Sequence, residues 1–386
     1  MKAWRLIGAI LVLASASPTL SAPAEGPMSL KAYMALSGPA PTAKLTYGPA
    51  PRQYVELFEP AGAGPFPVAV LIHGGCFLNS FEGMQQLRGL AGALAARGVA
   101  AWSIEYRGLD TTGGGYPGTF QDINAAMNLL QAEAGEWHLN TGRLVAVGHS
   151  AGAYLALWLA GRGRIPKLSP LHEANPLPVR QVVALGGSGD LRPAVASFSA
   201  RCALDLGKLT GAPSAARPDV YADTTPAEMI PNSAHTVFIN GAQDTIATSR
   251  ATAAYAARVR RTGDSVQVIV IPGASHFDEP TVGSPAWASV QAAILRAVGV
   301  KAPPALARSK SSPQSRQGHA RFGGLNLSNG STEMPGPGDW NATWNGKARR
   351  ISQSTGRRIV PAGRPGKPVI IWVRRRRLGL AGLKAA

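Results

Sequence analysis

The chain has 386 residues, enough for one large α/β domain with extensions, and 45% of them are hydrophobic, ample for a core. Its net charge of +18 resembles a nucleic-acid binder's, but 17 of the 39 Lys and Arg lie from Lys301 onward, where the only acids are Glu333 and Asp339. The rest is nearly neutral, so its charge points to no polyanionic partner.

Residues 1–22 read as an export signal. Lys2 and Arg5 precede an apolar run over 6–13 that is too short for a permanent span, and Ala14-Ser15-Ala16 is a small-x-small cleavage site, with Ala22 as a second choice. The expectation is a periplasmic or secreted protein with no stable membrane span. Residues 23–50 are rich in Pro and Ala and read as an irregular lead-in.

Residues 51–300 carry the folded domain. Alternation over 53–58 predicts an early antiparallel strand. The apolar run 68–72 predicts a strand buried on both faces. Helices are expected over 84–97, 119–134, 151–161, 250–261 and 287–298. Strands are expected between them over 99–104, 144–147, 181–185, 236–239 and 266–271. Such alternation means a mainly parallel sheet with helices on both faces. Residues 189–229 lack a clear strand and read as a small lid insertion. From 301 to 386, Pro, Gly, Ser and Arg replace apolar periodicity, and the segment reads as a disordered basic tail. The tail binds polyanions, or it has no selected role.

Val147-Gly148-His149-Ser150-Ala151-Gly152 ends a strand and opens a helix. Gly-x-Ser-x-Gly in that context is a nucleophile elbow, a turn that lifts a serine hydroxyl above a sheet. The glycines two before and two after must be small because the turn is tight. Ser150 then needs a base, an acid and oxyanion donors. His276 follows the last strand and Asp244 follows the one before. Both therefore lie at carboxyl ends of strands, where open α/β sheets carry their sites. Asp190 is the rival acid. Asp278 and Glu279 flank the base and are read as tuning its pH response. His73-Gly74-Gly75-Cys76-Phe77 follows the strand over 68–72, so backbone N–H groups of Gly75 or Cys76, with that of Ala151, are the expected oxyanion donors. Tyr116 is a candidate substrate contact, and Asp122 is expected to brace the Gly113-Gly114-Gly115-Tyr116 loop against Arg107. Cys76 and Cys202 allow either a disulfide or two free thiols.

The chain resembles α/β-hydrolase serine esterases, in the group of kynurenine formamidase-like enzymes and bacterial feruloyl/acetyl-xylan esterases. The matching residues are His73-Gly74-Gly75, Glu105-Tyr106-Arg107, Tyr116-Pro117 with Asp122, Gly148-His149-Ser150-Ala151-Gly152, Asp244 and Ser275-His276-Phe277. The resemblance runs from about Tyr54 to Val298. It implies hydrolysis of small carboxylic esters through an acyl-enzyme, with no cofactor and no metal. An arylformamidase or other amide hydrolase is the alternative, sharing every catalytic residue. A polyanion binder acting through the tail is the alternative of another class. Sequence leaves the oligomeric state open.

Overall fold

The structure, a computed structural model, describes residues 26–81, 83–192, 202 and 205–301. The expected signal segment, the middle of the expected lid and the tail beyond Lys301 lie outside these residues. The chain divides into residues 1–309 and 310–386, and every described residue belongs to the first unit.

Eight strands form one sheet: β1 (Ala43–Thr46), β2 (Tyr54–Phe58), β3 (Phe66–Ile72), β4 (Ala100–Ile104), β5 (Leu139–His149), β6 (Gln181–Leu185), β7 (His235–Gly241) and β8 (Val266–Ile271). Their order across the sheet is β1-β2-β4-β3-β5-β6-β7-β8. β2 runs antiparallel to β1 and β4, and the remaining pairs are parallel. Among the described residues the helices are α1 (Leu30–Met34), α2 (Gly83–Gln86), α3 (Arg88–Ala95), α4 (Gly118–Glu133), α5 (Ala151–Gly161), α6 (Gly207–Thr210), α7 (Ser249–Arg261) and α8 (Trp287–Ala297).

The two-residue period of the strands sorts the core into two layers. On β3, Val68, Val70 and Ile72 face the cluster that includes α4, α5 and α7. Ala69 and Leu71 face the cluster of α3 and α8. All seven residues of β3 are buried, as a strand covered on both sides requires. Each fully buried aliphatic side chain here contributes about 1.5–3 kcal/mol. Helix α5 has no polar face, because it packs on the sheet beneath an insertion. Trp158 Nε1 donates to the Asp223 carbonyl, and the Tyr154 hydroxyl donates to that of Thr224.

Two expectations need correction. The lead-in 23–50 is not irregular throughout, since it forms α1 and β1. Ser29 caps α1 by accepting from the Ala32 N–H at 3.2 Å, and β1 adds an antiparallel edge to β2. The segment also presses on α3, where a Cβ on Gly92 would come within 2.4 Å of Pro39. The helix expected over 84–97 is split into α2 and α3. The first piece brings Gly83 against the His73 ring, where a Cβ would meet Nδ1 at 2.5 Å. Among the described residues, no helix is long and apolar enough to cross a membrane.

Candidate active site

Ser150 sits between β5 and α5 with φ 55° and ψ −117°. That left-handed φ is rare for a residue with a side chain, and surrounding contacts must hold it. A Cβ on Gly148 would lie 2.0 Å from the Gly152 carbonyl oxygen, and one on Gly152 would lie 2.0 Å from that of Ile72. No other residue fits at either position. The Ser150 N–H donates to the Leu185 carbonyl at 2.8 Å, tying the turn to the neighbouring strand. Ser150 heads α5, where the first N–H groups have no partner inside the helix and the helix dipole favours negative charge. Ala151 carries the first of them.

Asp244 and His276 come together from the ends of β7 and β8. His276 Nδ1 donates to Asp244 Oδ2 at 2.8 Å, so in the neutral ring Nε2 carries no proton. Asp244 Oδ1 accepts the N–H groups of Ile246 at 2.7 Å and Ala247 at 2.8 Å, so the carboxylate is anchored on both oxygens. The base is linked to the elbow through its backbone, because His149 Nε2 donates to the His276 carbonyl at 3.0 Å. Burial and the nearby His276 hold the His149 imidazole well below its usual range, so it is a neutral donor. Asp190, the rival acid, is engaged elsewhere, with Arg258 at 3.2 Å.

The loop after β3 is curled. Gly75, Cys76 and Phe77 have φ of 92°, 57° and 57°. A Cβ on Gly74 would lie 3.0 Å from Ser150 Cβ, so this loop abuts the serine. Its strained turn is fixed from several directions. Phe77 is buried and packs edge-on against Tyr154, with ring centres 6.0 Å apart. Cys76 forms a disulfide with Cys202, which resolves the choice the sequence left open. Asn79 donates to Glu105 Oε1 and the Tyr106 carbonyl, and it accepts from the Gly108 N–H. The His73 ring stacks on Tyr106 at 4.3 Å.

A cavity of about 110 Å³ opens at Ser150, between Phe77, Tyr154, Leu191, Ile246 and Thr252. Gly186 and Gly187, at the end of β6, form its floor beside the base; a Cβ on Gly186 would lie 2.8 Å from His276 Nδ1. Tyr116 does not line this cavity. Its hydroxyl donates to Asp223 at 3.0 Å, and the Arg217 guanidinium lies 3.8 Å over its ring, so it serves to clamp the insertion. Asp122 accepts three hydrogen bonds from Arg107, from the backbone N–H at 2.9 Å and from the guanidinium at 2.8 and 2.7 Å. His149, His276 and Glu279 each bring one potential ligand atom within 4.8 Å of the others; one atom of each is bonded to a protein group, while His149 Nδ1 and Glu279 Oε2 are buried without a hydrogen-bond partner among the described residues.

Sequence reasoning missed Tyr33, Asn79 and the Gly186-Gly187 floor. Only the last had a signal: paired glycines at a strand's carboxyl end mark close approach. Tyr33 stacks on Phe277 at 5.2 Å and lies 5.7 Å from the His149 ring, bringing α1 over the His276 loop. The Met28 N–H donates to Asp278, and Ser275 Oγ donates to the Met28 carbonyl.

Comparison with known proteins agrees with this architecture. No curated protein matches the sequence. The BD-FAE family model matches residues 55–258, more than half of the chain. Among solved structures, esterase B from Lactobacillus rhamnosis superposes with a TM-score of 0.59 at 19% identity, covering 70% of this chain and 89% of its own. A truncated carbohydrate esterase from gut microbiota gives 0.54 at 15% identity, covering 71% and 100%. A bacterial heroin esterase gives 0.52 at 22% identity, covering 64% and 79%. At such identities the likeness is one of fold. With the family match across the sheet from β2 to α7, the chain belongs to the BD-FAE family and is an α/β-hydrolase of the esterase type.

Proposed function

We propose that the chain hydrolyses carboxylic esters of short acyl groups through an acyl-enzyme on Ser150. The observation that carries this reading is the 2.8 Å bond from His276 to Asp244 beside a serine held at φ 55°. Ser150 Oγ attacks the ester carbonyl while His276 Nε2 takes its proton. Asp244 fixes the tautomer and stabilises the imidazolium. N–H groups of Ala151 and of Gly75 or Cys76 hold the oxyanion. The imidazolium then protonates the departing alcohol, and water repeats the sequence to release the acid.

The small cavity supports a short acyl group. Its 110 Å³ falls well below the roughly 300–1,000 Å³ of pockets that hold drug-sized ligands. Its apolar walls, Phe77, Leu191 and Ile246, suit an alkyl chain rather than a charged one. The similar folds of proteins described as esterases favour an ester substrate.

The test is a panel of p-nitrophenyl acetate, butyrate and octanoate with an N-formyl aromatic amide, alongside fluorophosphonate labelling. Acetate or butyrate is expected to be preferred, with label on Ser150. Ser150→Ala is expected to lose about 10⁶ in turnover, as in removal of a serine nucleophile. Labelling that survives this substitution would overturn the assignment, and faster cleavage of the amide would reassign the substrate.

A further inference from the structure

Glu279 lies three residues past His276 and is fully buried. Its Oε1 accepts the Gly241 N–H at 2.7 Å. Its Oε2 lies 3.9 Å from His276 Nδ1 and, as a bare carboxylate oxygen, has no hydrogen-bond partner. Asp244 Oδ2 lies 2.8 Å from the same Nδ1. Gly186 makes room for this carboxyl, since a Cβ there would stand 2.0 Å from Oε2.

Two carboxyls therefore share one imidazole in a buried space. Among the described residues, no Lys or Arg lies within salt-bridge distance of Glu279. Facing it are Asp244 from the β7 loop, His276 and Asp278 from its own loop, and His149 from the end of β5. His149 is neutral, and Asp278 accepts the N–H groups of Met28 and Ser275. Adjacent buried carboxyls do not both ionise. Asp244 takes two backbone N–H groups and the imidazole, whereas Glu279 takes one N–H. The charge belongs on Asp244 and the proton on Glu279.

We propose that Glu279 is a positioning residue that remains a neutral acid through the reaction and donates a hydrogen bond from Oε2 to Asp244, setting the proton affinity of His276. This rests on the hydrolytic reading of Ser150. The donated bond supplies the one partner that Oε2 lacks, and no proton leaves Glu279 during turnover. Burial first, then the Asp244 charge, hold the Glu279 carboxyl well above the usual carboxylate range, against the opposing pull of the Gly241 N–H. The consequence is chemical. A donor to Asp244 spreads its charge, so the imidazolium is less stabilised. His276 then stays a free base to lower pH and releases its proton more readily to the leaving alcohol.

The experiment compares the pH profile of kcat/KM in the full-length protein, Glu279→Gln and Glu279→Ala, with fluorophosphonate titration counting competent sites in each. Gln keeps a neutral donor toward Asp244 and an acceptor for Gly241. It is expected to retain the plateau within about threefold and to leave the acid limb in place. Ala removes the donor, and the acid limb is expected to move to higher pH by about one unit. Infrared spectroscopy is expected to show a protonated carboxyl stretch that vanishes in both variants. An acid limb moving to lower pH in Glu279→Gln would mean that a negative charge had been removed, and would overturn the proposal. Unmoved limbs in both variants, with only site number reduced, would also overturn it by leaving Glu279 a packing role. If Ser150→Ala keeps its label, the hydrolytic reading fails first, an outcome separate from either.

Discussion

The two sides of the site are built by different means. The serine side is made by local sterics: Gly148, Ser150 and Gly152 lie within five residues, and bare backbone contacts at both glycines fix the turn. The base side is made by distant segments. Asp244 from β7, His276 and Glu279 from β8, Gly186 from β6 and Tyr33 from α1 meet around one imidazole. A steric turn tolerates no substitution and needs no partner. A hydrogen-bonded assembly has several members, and each variant should subtract a part. The serine side should therefore fail all at once, and the base side by degrees.

The largest expected effect is Gly152→Ala. The added methyl would stand 2.0 Å from the Ile72 carbonyl oxygen, which is backbone and cannot swing aside. The elbow should open, lowering stability by at least about 3 kcal/mol and removing turnover by about 10⁶, as loss of the nucleophile itself would. Thermal unfolding and fluorophosphonate labelling measure the two losses. A stable, labelled variant would show that the turn is not held by sterics.

Asp244→Asn comes next. Asn keeps an acceptor for the Ile246 and Ala247 N–H groups, so the loop should stay folded and Tm should move little. Turnover should fall by about 10⁴, the loss known for an orienting carboxylate made neutral. A large fall in Tm with only modest loss of rate would reverse the reading, making Asp244 a loop anchor rather than the partner of the base.

The same contrast explains what was legible. The elbow showed in the sequence because its chemistry is local: two glycines, a serine, a strand before and a helix after. The strands over 181–185 and 266–271 were legible to the residue, because each is a short apolar or alternating run with clear ends. Asp244 and His276 could be placed because each follows a strand at its carboxyl end. The contacts of Glu279 and the role of Tyr33 could not. Tyr33 lies in a stretch rich in Pro and Ala, with no periodicity, and it meets Phe277 across a sequence separation of 244. Nothing local encodes such a contact. Tyr116 misled for the opposite reason, because a motif residue beside a glycine loop looks like a ligand contact until its hydroxyl is found on Asp223.

The smallest effects test that distant strap. Tyr33 is buried against Phe277 and His149, yet its hydroxyl has no hydrogen-bond partner among the described residues, and burial pushes its ionisation well up. The ring and the hydroxyl should therefore act in opposite directions. Tyr33→Ala removes the ring and should destabilise by about 3–5 kcal/mol. By loosening the His276 loop it should also lower kcat/KM by about tenfold, since small displacements of a catalytic group are expensive in rate. Tyr33→Phe removes only the unpaired hydroxyl, so it should leave the rate unchanged and raise stability by about 1 kcal/mol. Denaturant unfolding of the three proteins reads both signs. A loss of stability in Tyr33→Phe would reveal a partner for that hydroxyl and make the strap polar as well as apolar. Unchanged stability in Tyr33→Ala would detach α1 from the base side altogether, leaving that side to stand on the Asp244 and Glu279 contacts alone.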